Sequence, residues 1–205
     1  MKANGFEITV LPKGRGAADE YPHRGETWIE GRYNSWYEIQ LHNHTSERVM
    51  AVLTVDGVGV IDGELGSFGS PGFILQPYQK LDVPGWVRSN QEAARFVFSK
   101  LDKSYSEQTG QGGNQGVIGA AWFREQVYYK PQVHHVTKTA PLRGGTLAPN
   151  WYLNTSQQLS QNSVQTDSYT SVVGASSVGT GWGESTQFPT TRAEFEKRGE
   201  QPDQI

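Results

Sequence analysis

Two histidines with a spacing suited to metal binding occur in the N-terminal half of the chain. His42 and His44 are two residues apart, so on a β-strand both side chains would lie on the same face. Two imidazole nitrogens placed in this way form part of one acceptable zinc or copper site. A third ligand would have to come from His23, His134 or His135, and no spacing fixes any of them. We therefore expect solvent-facing or hydrogen-bonded histidines, with no bound metal and no cofactor.

Two aspartates, Asp56 and Asp62, each precede a glycine. They could be read as paired carboxylates or calcium ligands, but Asp before Gly is typical of tight turns, where its side chain accepts backbone hydrogen bonds. The run Gly57-Val58-Gly59 lacks the third glycine of a dinucleotide-binding loop. No Gly-x-Ser-x-Gly sequence supplies a nucleophile. These residues predict a β-hairpin, and the chain is predicted not to be an enzyme.

The central element of the predicted fold is a hairpin over residues 48–63, because a long β-branched run leads into the first Asp-Gly turn. Alternating or short apolar runs predict the other strands, at residues 6–11, 26–30, 36–42, 72–75, 80–83, 95–99 and 117–124. The turn Gln76-Pro77-Tyr78-Gln79 predicts that residues 72–75 and 80–83 form a second hairpin. Residues 89–94 begin with an N-cap-like serine and predict a single helical turn.

Composition favours a turn-rich β protein over a helical one. The 205 residues include 24 Gly, 6 Trp and 9 Tyr, and only 19% are charged. A formal net charge of -3 provides no basic field for a phosphate backbone, so we expect no nucleic-acid partner. With no cysteine the fold must be held by packing and hydrogen bonds. No export signal is expected at residues 1–7, and no apolar run predicts a membrane span.

These patterns predict an all-β fold, an antiparallel, jelly-roll-like β-sandwich with long loops and an extended C-terminal arm. The predicted core domain covers residues 5–130, a connector covers residues 131–153, and the arm covers residues 154–205. Between residues 154 and 185 the chain is rich in Ser, Thr, Gln, Asn and Gly, and only Asp167 and Glu184 are charged. Such a segment buries little apolar surface by itself, which favours contact with a partner.

An ordered series of short motifs runs along the predicted domain. Its members are residues 20–25, 28–30, 37–39, Leu41, Asn43, 48–57, 60–62, 74–75, 77–78, 83–86, 94–96, Phe98, 104–105, 116–118 and 123–125, with weaker matches at 179–181 and Phe195. In these residues the chain resembles a family of uncharacterised bacterial proteins, often secreted, with homologues expected among phage genes. The resemblance implies a shared β-rich domain and carries over no activity. The chain differs from the secreted members in two respects. No export signal is expected in it, and it has a polar insert before Gly179.

Aromatic residues in or beside the polar arm are the candidate partner-binding residues: Trp151, Tyr152, Tyr169, Trp182 and Phe188. Buried aromatic side chains often dominate the energy of protein contacts. We therefore predict a non-enzymatic structural or interaction protein, an accessory virion component such as a phage capsid decoration or minor capsid protein. Its predicted partners are other virion subunits and further copies of itself. The alternative is a secreted or surface carbohydrate-binding β-sandwich module with an extracellular or periplasmic location.

Overall fold

The computed structural model describes residues 1–110, 114–128 and 178–205, and nearly all regular structure in them is β-strand. The strands are β1 Lys2–Ala3, β2 Phe6–Pro12, β3 Glu20–His23, β4 Glu26–Ile29, β5 Trp36–Asn43, β6 Val49–Val55, β7 Val58–Gly59, β8 Phe73–Leu75, β9 Lys80–Val83, β10 Gly85–Val87, β11 Glu92–Lys100, β12 Ile118–Arg124 and β13 Val178–Gln187. A 3-10 turn at Leu101–Lys103 leads into one short helix, α1, at Tyr105–Gln108.

Every strand pairing in the described residues is antiparallel, so the predicted all-β, antiparallel class is confirmed. The larger sheet follows the order β1-β2-β5-β11-β10, with β9 also paired to β5 and β13 also paired to β11. The second sheet follows the order β12-β6-β7, with β8 also paired to β6. Strands β3 and β4 form a separate two-stranded hairpin.

The two larger sheets share one hydrophobic core. Phe6 from β2 stacks on Trp122 from β12, with ring centroids 4.9 Å apart. Tyr37 from β5 is fully buried and stacks on Phe96 and Phe98 from β11. Large aromatic groups bury much apolar area, so this layer contributes strongly to stability. The jelly-roll strand order is not established by these pairings and stays a prediction.

The predicted central hairpin is present, and it organises the second sheet. Asp56 and Gly57 adopt positive φ values of 53° and 80°, and they reverse the chain between β6 and β7. Strand β6 has nearly all its residues buried, because its two faces contribute to two separate apolar clusters. The second arm is shorter than expected, since β7 contains only Val58–Gly59.

Two local predictions are wrong. Residues 72–75 and 80–83 do not form a hairpin, because β8 pairs with β6 in one sheet and β9 pairs with β5 in the other. The turn between them carries the chain from sheet to sheet. The helical turn expected at residues 89–94 is also absent, since β11 already begins at Glu92 and pairs with both β10 and β13. Tertiary pairing here outweighs the weak local helix signal.

The described end of the predicted arm is part of the core unit. Residues 1–127 and 178–205 form one compact unit. Strand β13 pairs with β11 from Glu92↔Gln187 to Lys100↔Val178. Further along, the main chain of Trp122 in β12 exchanges hydrogen bonds with residues 203 and 204. The predicted extended arm over residues 154–205 therefore differs from the structure at residues 178–205. There the backbone pairs with β11 and β12, which satisfies backbone N–H and C=O groups.

Ion pairs hold the C-terminal residues beside β12. Arg124 Nη1 lies 2.9 Å from Asp203 Oδ1, and Arg124 Nε lies 2.7 Å from Glu47 Oε2. Arg198 also pairs with Glu47. The last residues therefore lie along β12, where they shield the strand from pairing with another chain. Within the described residues no helix has the length and apolar character that a membrane crossing requires.

Candidate functional site

Trp182 of strand β13 is the centre of a cluster that contains one further aromatic residue and one arginine. The Trp182 side chain is 44% exposed. Its ring centroid is 5.0 Å from that of Tyr105, and the Arg88 guanidinium carbon is 5.2 Å from the indole centroid. Tyr105 in turn packs on the buried Trp86 at 4.7 Å. We call Arg88, Tyr105 and Trp182 the Trp182 cluster; it joins a half-exposed indole to the core through a second aromatic ring.

Alternating glycines position the strand that carries Trp182. A Cβ added to Gly179 would lie 2.7 Å from Ser104 Cβ, and one added to Gly183 would lie 2.7 Å from Val97 Cγ2. Only glycine allows so close an approach of β13 to its neighbours. Ser104 also caps helix α1, since its hydroxyl accepts a hydrogen bond from the Glu107 N–H. The same contact region therefore fixes β13 and the start of the helix that carries Tyr105.

Strand β13 is an edge strand within the described part of the chain, because β11 is its one partner strand there. At Thr180 the outer edge of β13 is closed, because the Asp56 carboxylate accepts a hydrogen bond from the Thr180 N–H. From Trp182 to Gln187 the strand is exposed or half-buried. Edge strands expose backbone groups that can pair with another chain. Trp182 therefore combines an exposed aromatic surface with a strand edge.

The five predicted partner-binding residues have different outcomes. Trp182 is exposed and lies in the Trp182 cluster. Phe188 is only 8% exposed and packs edge-on against Phe73 at a centroid distance of 6.0 Å. The structure therefore places Phe188 in the core of its own chain and not on a contact surface. Trp151, Tyr152 and Tyr169 lie outside the described residues.

Asp56 is a buried carboxylate that connects three distant parts of the chain. Its Oδ1 accepts a hydrogen bond from the Gly116 N–H at 2.7 Å, and its Oδ2 accepts one from the Thr180 N–H at 2.7 Å. The Thr180 hydroxyl is 2.6 Å from the Tyr37 hydroxyl. Burial raises the pKa of Asp56 to about 6, although the two backbone donors oppose the shift. The turn role expected for Asp56 is present, and a structural link to β13 is added to it.

Asp62, the other aspartate that precedes a glycine, is exposed. Its Oδ1 accepts a hydrogen bond of 3.3 Å from the nearby Glu64 N–H. The carboxylates of Asp56 and Asp62 therefore face different surroundings. Their arrangement supports turn chemistry and gives no shared acid-base pair.

Glu7, His42 and His44 form a cluster on the face of the larger sheet opposite the core. Glu7 lies directly across from His42 in the β2–β5 pairing. The Glu7 Oε2 atom is 2.5 Å from His44 Nε2 and 3.5 Å from His42 Nδ1. The two imidazole rings are in contact, with centroids 3.6 Å apart and planes tilted by 37°. One potential ligand atom from each residue lies within 4.8 Å of the other two.

The hydrogen bond from His44 lowers the pKa of Glu7, which keeps that carboxylate ionised. Partial burial lowers the pKa of His42, and the nearby His44 acts in the same direction. The structure therefore shows hydrogen-bonded histidines, one of the two arrangements the sequence predicts.

The third member of this cluster was missed by sequence reasoning, which considered only His23, His134 and His135. Glu7 occupies an ordinary polar position in an alternating strand. Its position opposite His42 depends on the register between two strands separated by a long connection, and no local sequence signal specifies that register. His134 and His135 lie outside the described residues.

Comparisons of the chain with protein-family models, with curated proteins and with solved structures give no match. The resemblance to an uncharacterised bacterial and phage family therefore stays a prediction from the motifs.

Proposed function

We propose that this protein is a non-enzymatic interaction protein that assembles with copies of itself and with other subunits. The setting we propose is a virion, in which the chain would serve as an accessory component such as a capsid decoration or minor capsid protein. The Trp182 cluster is the observation that carries the proposal. Its mechanism is burial of Trp182 and neighbouring groups against a second chain.

The residue types of the Trp182 cluster support a protein contact. Trp, Tyr and Arg are the residues most enriched among those that dominate binding energy. Tyr105 packs beneath Trp182, so the indole is held in place before a partner arrives. A side chain that is already ordered loses less conformational entropy on binding.

The position of the cluster supports the same role. Trp182 lies on an edge strand of the described sheet, and an edge can accept a strand from another chain. Val127 and Tyr128 are 70% and 66% exposed, and they precede the polar segment of residues 129–177. Trp151, Tyr152 and Tyr169 belong to this segment, and for them the sequence alone supports a contact role.

Replacement of Trp182 tests the proposal. In Trp182→Ala we expect self-association, measured by sedimentation velocity over a range of protein concentrations, to weaken at least about tenfold. The fold should be retained, because the indole is half exposed. Mass spectrometry of particles purified from cells that carry the gene should detect the wild-type chain.

Tyr21→Ala is the matched control, since Tyr21 is 55% exposed on strand β3 and does not belong to the Trp182 cluster. The control should associate like the wild type. Equal association of wild type and Trp182→Ala would remove the Trp182 cluster from the mechanism.

A carbohydrate-binding function is the second candidate, and the same exposed indole favours it. The exposed part of the Trp182 indole is suited to packing against the C–H groups of a sugar ring. A glycan array separates the two functions. A specific glycan signal that Trp182→Ala abolishes, together with a monomeric wild type, would favour carbohydrate binding over assembly.

A further inference from the structure

We propose that Glu7, His42 and His44 form a binding site for a divalent late first-row transition-metal ion, with Zn²⁺ the ion we expect. The site is independent of the assembly function proposed above. It would use one carboxylate oxygen and two imidazole nitrogens, and water would complete the coordination.

The donor atoms are close to the arrangement that a zinc ion requires. Zinc bonds to nitrogen and oxygen of roughly 2.1 Å place the ligand atoms of a tetrahedron about 3.4 Å apart. Glu7 Oε2 and His42 Nδ1 are already 3.5 Å apart. Glu7 Oε2 and His44 Nε2 are 2.5 Å apart, so that hydrogen bond must open by about 1 Å to admit the ion.

The backbone around the three side chains is fixed by the fold. Glu7 and His42 are paired residues of adjacent strands. The His44 N–H donates to the Gly5 carbonyl at 2.8 Å. Asn43, which is buried, accepts hydrogen bonds from Thr45 and donates to the carbonyls of Glu47 and Gln76. Opening the Glu7–His44 hydrogen bond therefore requires side-chain rotation without rearrangement of the sheet.

The ligand types and the surrounding charges select the class of metal. Imidazole suits zinc, copper and nickel, whereas Ca²⁺ takes six to eight oxygen ligands and Mg²⁺ takes oxygen ligands in octahedral geometry. Lys2 lies opposite Glu7 in the β1–β2 register, and Lys80 lies opposite His42 in the β5–β9 register. These two positive charges oppose a cation held by charge alone, so they discriminate against Ca²⁺ and Mg²⁺ more than against an ion bound through nitrogen.

The site is open to solvent. The side chains of His42, His44 and Glu7 are 17%, 26% and 30% exposed. An ion can therefore enter without unfolding, and one coordination position faces water. Three protein ligands and one water are the coordination found in catalytic zinc sites, whereas structural zinc sites are closed by four protein ligands.

Zinc titration of the full-length, untagged chain tests the site. Competition with a chromophoric chelator should show one Zn²⁺ bound per folded chain, and Ca²⁺ or Mg²⁺ at the same concentration should not displace it. With Co²⁺ in place of Zn²⁺, the visible spectrum should be that of a four-coordinate ion with nitrogen and oxygen ligands. A folded wild-type chain that binds no Zn²⁺ overturns the proposal.

Single replacements locate the ion. Glu7→Gln, His42→Ala and His44→Ala should each weaken Zn²⁺ binding by at least the roughly tenfold loss seen when a supporting group around a metal is removed. Circular dichroism of each variant will show whether it is folded.

Two control variants exclude other histidines. His23→Ala alters an exposed histidine of strand β3, and a second variant carries His134→Ala and His135→Ala together. Both should keep full Zn²⁺ affinity. Loss of binding in either control, with retention in the folded His42→Ala variant, would place the metal elsewhere and overturn the assignment.

Discussion

At the scale of single residues, Asp56 links the central hairpin to strand β13. Its two oxygens accept hydrogen bonds from the N–H groups of Gly116 and Thr180, and its side chain is fully buried. A buried carboxylate without such donors would be strongly destabilising. The same burial raises its pKa to about 6 from an ordinary value of 3.8.

This raised pKa gives a pH-dependent contribution to stability. Between about pH 4 and 6 the folded chain keeps the Asp56 proton while the unfolded chain releases it, so the Asp56 contribution to the free energy of unfolding falls as pH rises. The total change is on the order of 3 kcal/mol. In urea unfolding, Asp56→Asn should be destabilised by about 1–3 kcal/mol at pH 7, since its NH₂ group cannot accept a hydrogen bond. The difference from wild type should be larger at pH 4.

Asp62→Asn is the control for this prediction, because Asp62 is an exposed aspartate that also precedes a glycine. Its difference from wild type should be small and nearly independent of pH. A wild-type-minus-Asp56→Asn difference that grows as pH rises from 4 to 7 would contradict the assigned direction of the pKa shift.

Sequence reasoning at this scale succeeds where chemistry is local. The Asp56-Gly57 pair predicts its turn correctly, because Asp and Gly tolerate positive φ values within the turn itself. The bond from Thr180 to Asp56 joins residues far apart in the chain, and no pattern near either residue indicates it. The same limit explains why Glu7 could not be assigned to the histidine cluster.

At the scale of elements, alternation predicts where strands lie better than which strands pair. The sequence predicts a strand with one apolar face at residues 36–42, and β5 shows strict alternation of buried and half-buried residues. The pairing of β8 and β9 with different sheets was not predictable from their connecting turn. In β13 the β-branched residues Val178, Thr180 and Thr186 are separated by glycines and polar residues, so no continuous β-branched run indicates the strand.

The continuation of β13 into the core leads to a stability prediction. Phe188→Ala should lower the free energy of unfolding by about 3–5 kcal/mol, because it removes a buried ring and leaves a cavity beside Phe73. Denaturant unfolding followed by tryptophan fluorescence will measure the change.

A leucine at the same position provides the matched control. Phe188→Leu keeps much of the apolar volume and should lose less stability than Phe188→Ala. If Phe188→Ala were as stable as the wild type, the ring would not belong to the core, and a contact role for Phe188 would become tenable again.

At the scale of the whole molecule, the polar segment lies between two core strands. The chain leaves β12 at Arg124, and it returns as β13 at Val178. Residues 178–205 therefore belong with the predicted core domain, although composition placed them in the arm. Composition cannot show that the chain returns to the sheet, because that return depends on pairing with β11.

Because residues 178–205 belong to the core unit, the assembly function cannot be tested by removing the C-terminal part of the chain. Truncation from residue 151 onward would remove β13 and the C-terminal residues beside β12, so loss of assembly would be confounded by loss of the fold. An internal deletion of residues 140–170 removes Trp151, Tyr152 and Tyr169 while leaving every described strand in place.

The most direct test of assembly is therefore the mass of the full chain and of this internal-deletion variant by sedimentation velocity. We predict that the wild type sediments as an oligomer, and that the variant, which keeps the Trp182 cluster but lacks three predicted contact residues, associates more weakly with the same far-ultraviolet circular dichroism of β structure. A wild type that stays monomeric throughout the concentration series would contradict the assembly function, and a folded variant that assembles as well as the wild type would contradict a contact role for Trp151, Tyr152 and Tyr169.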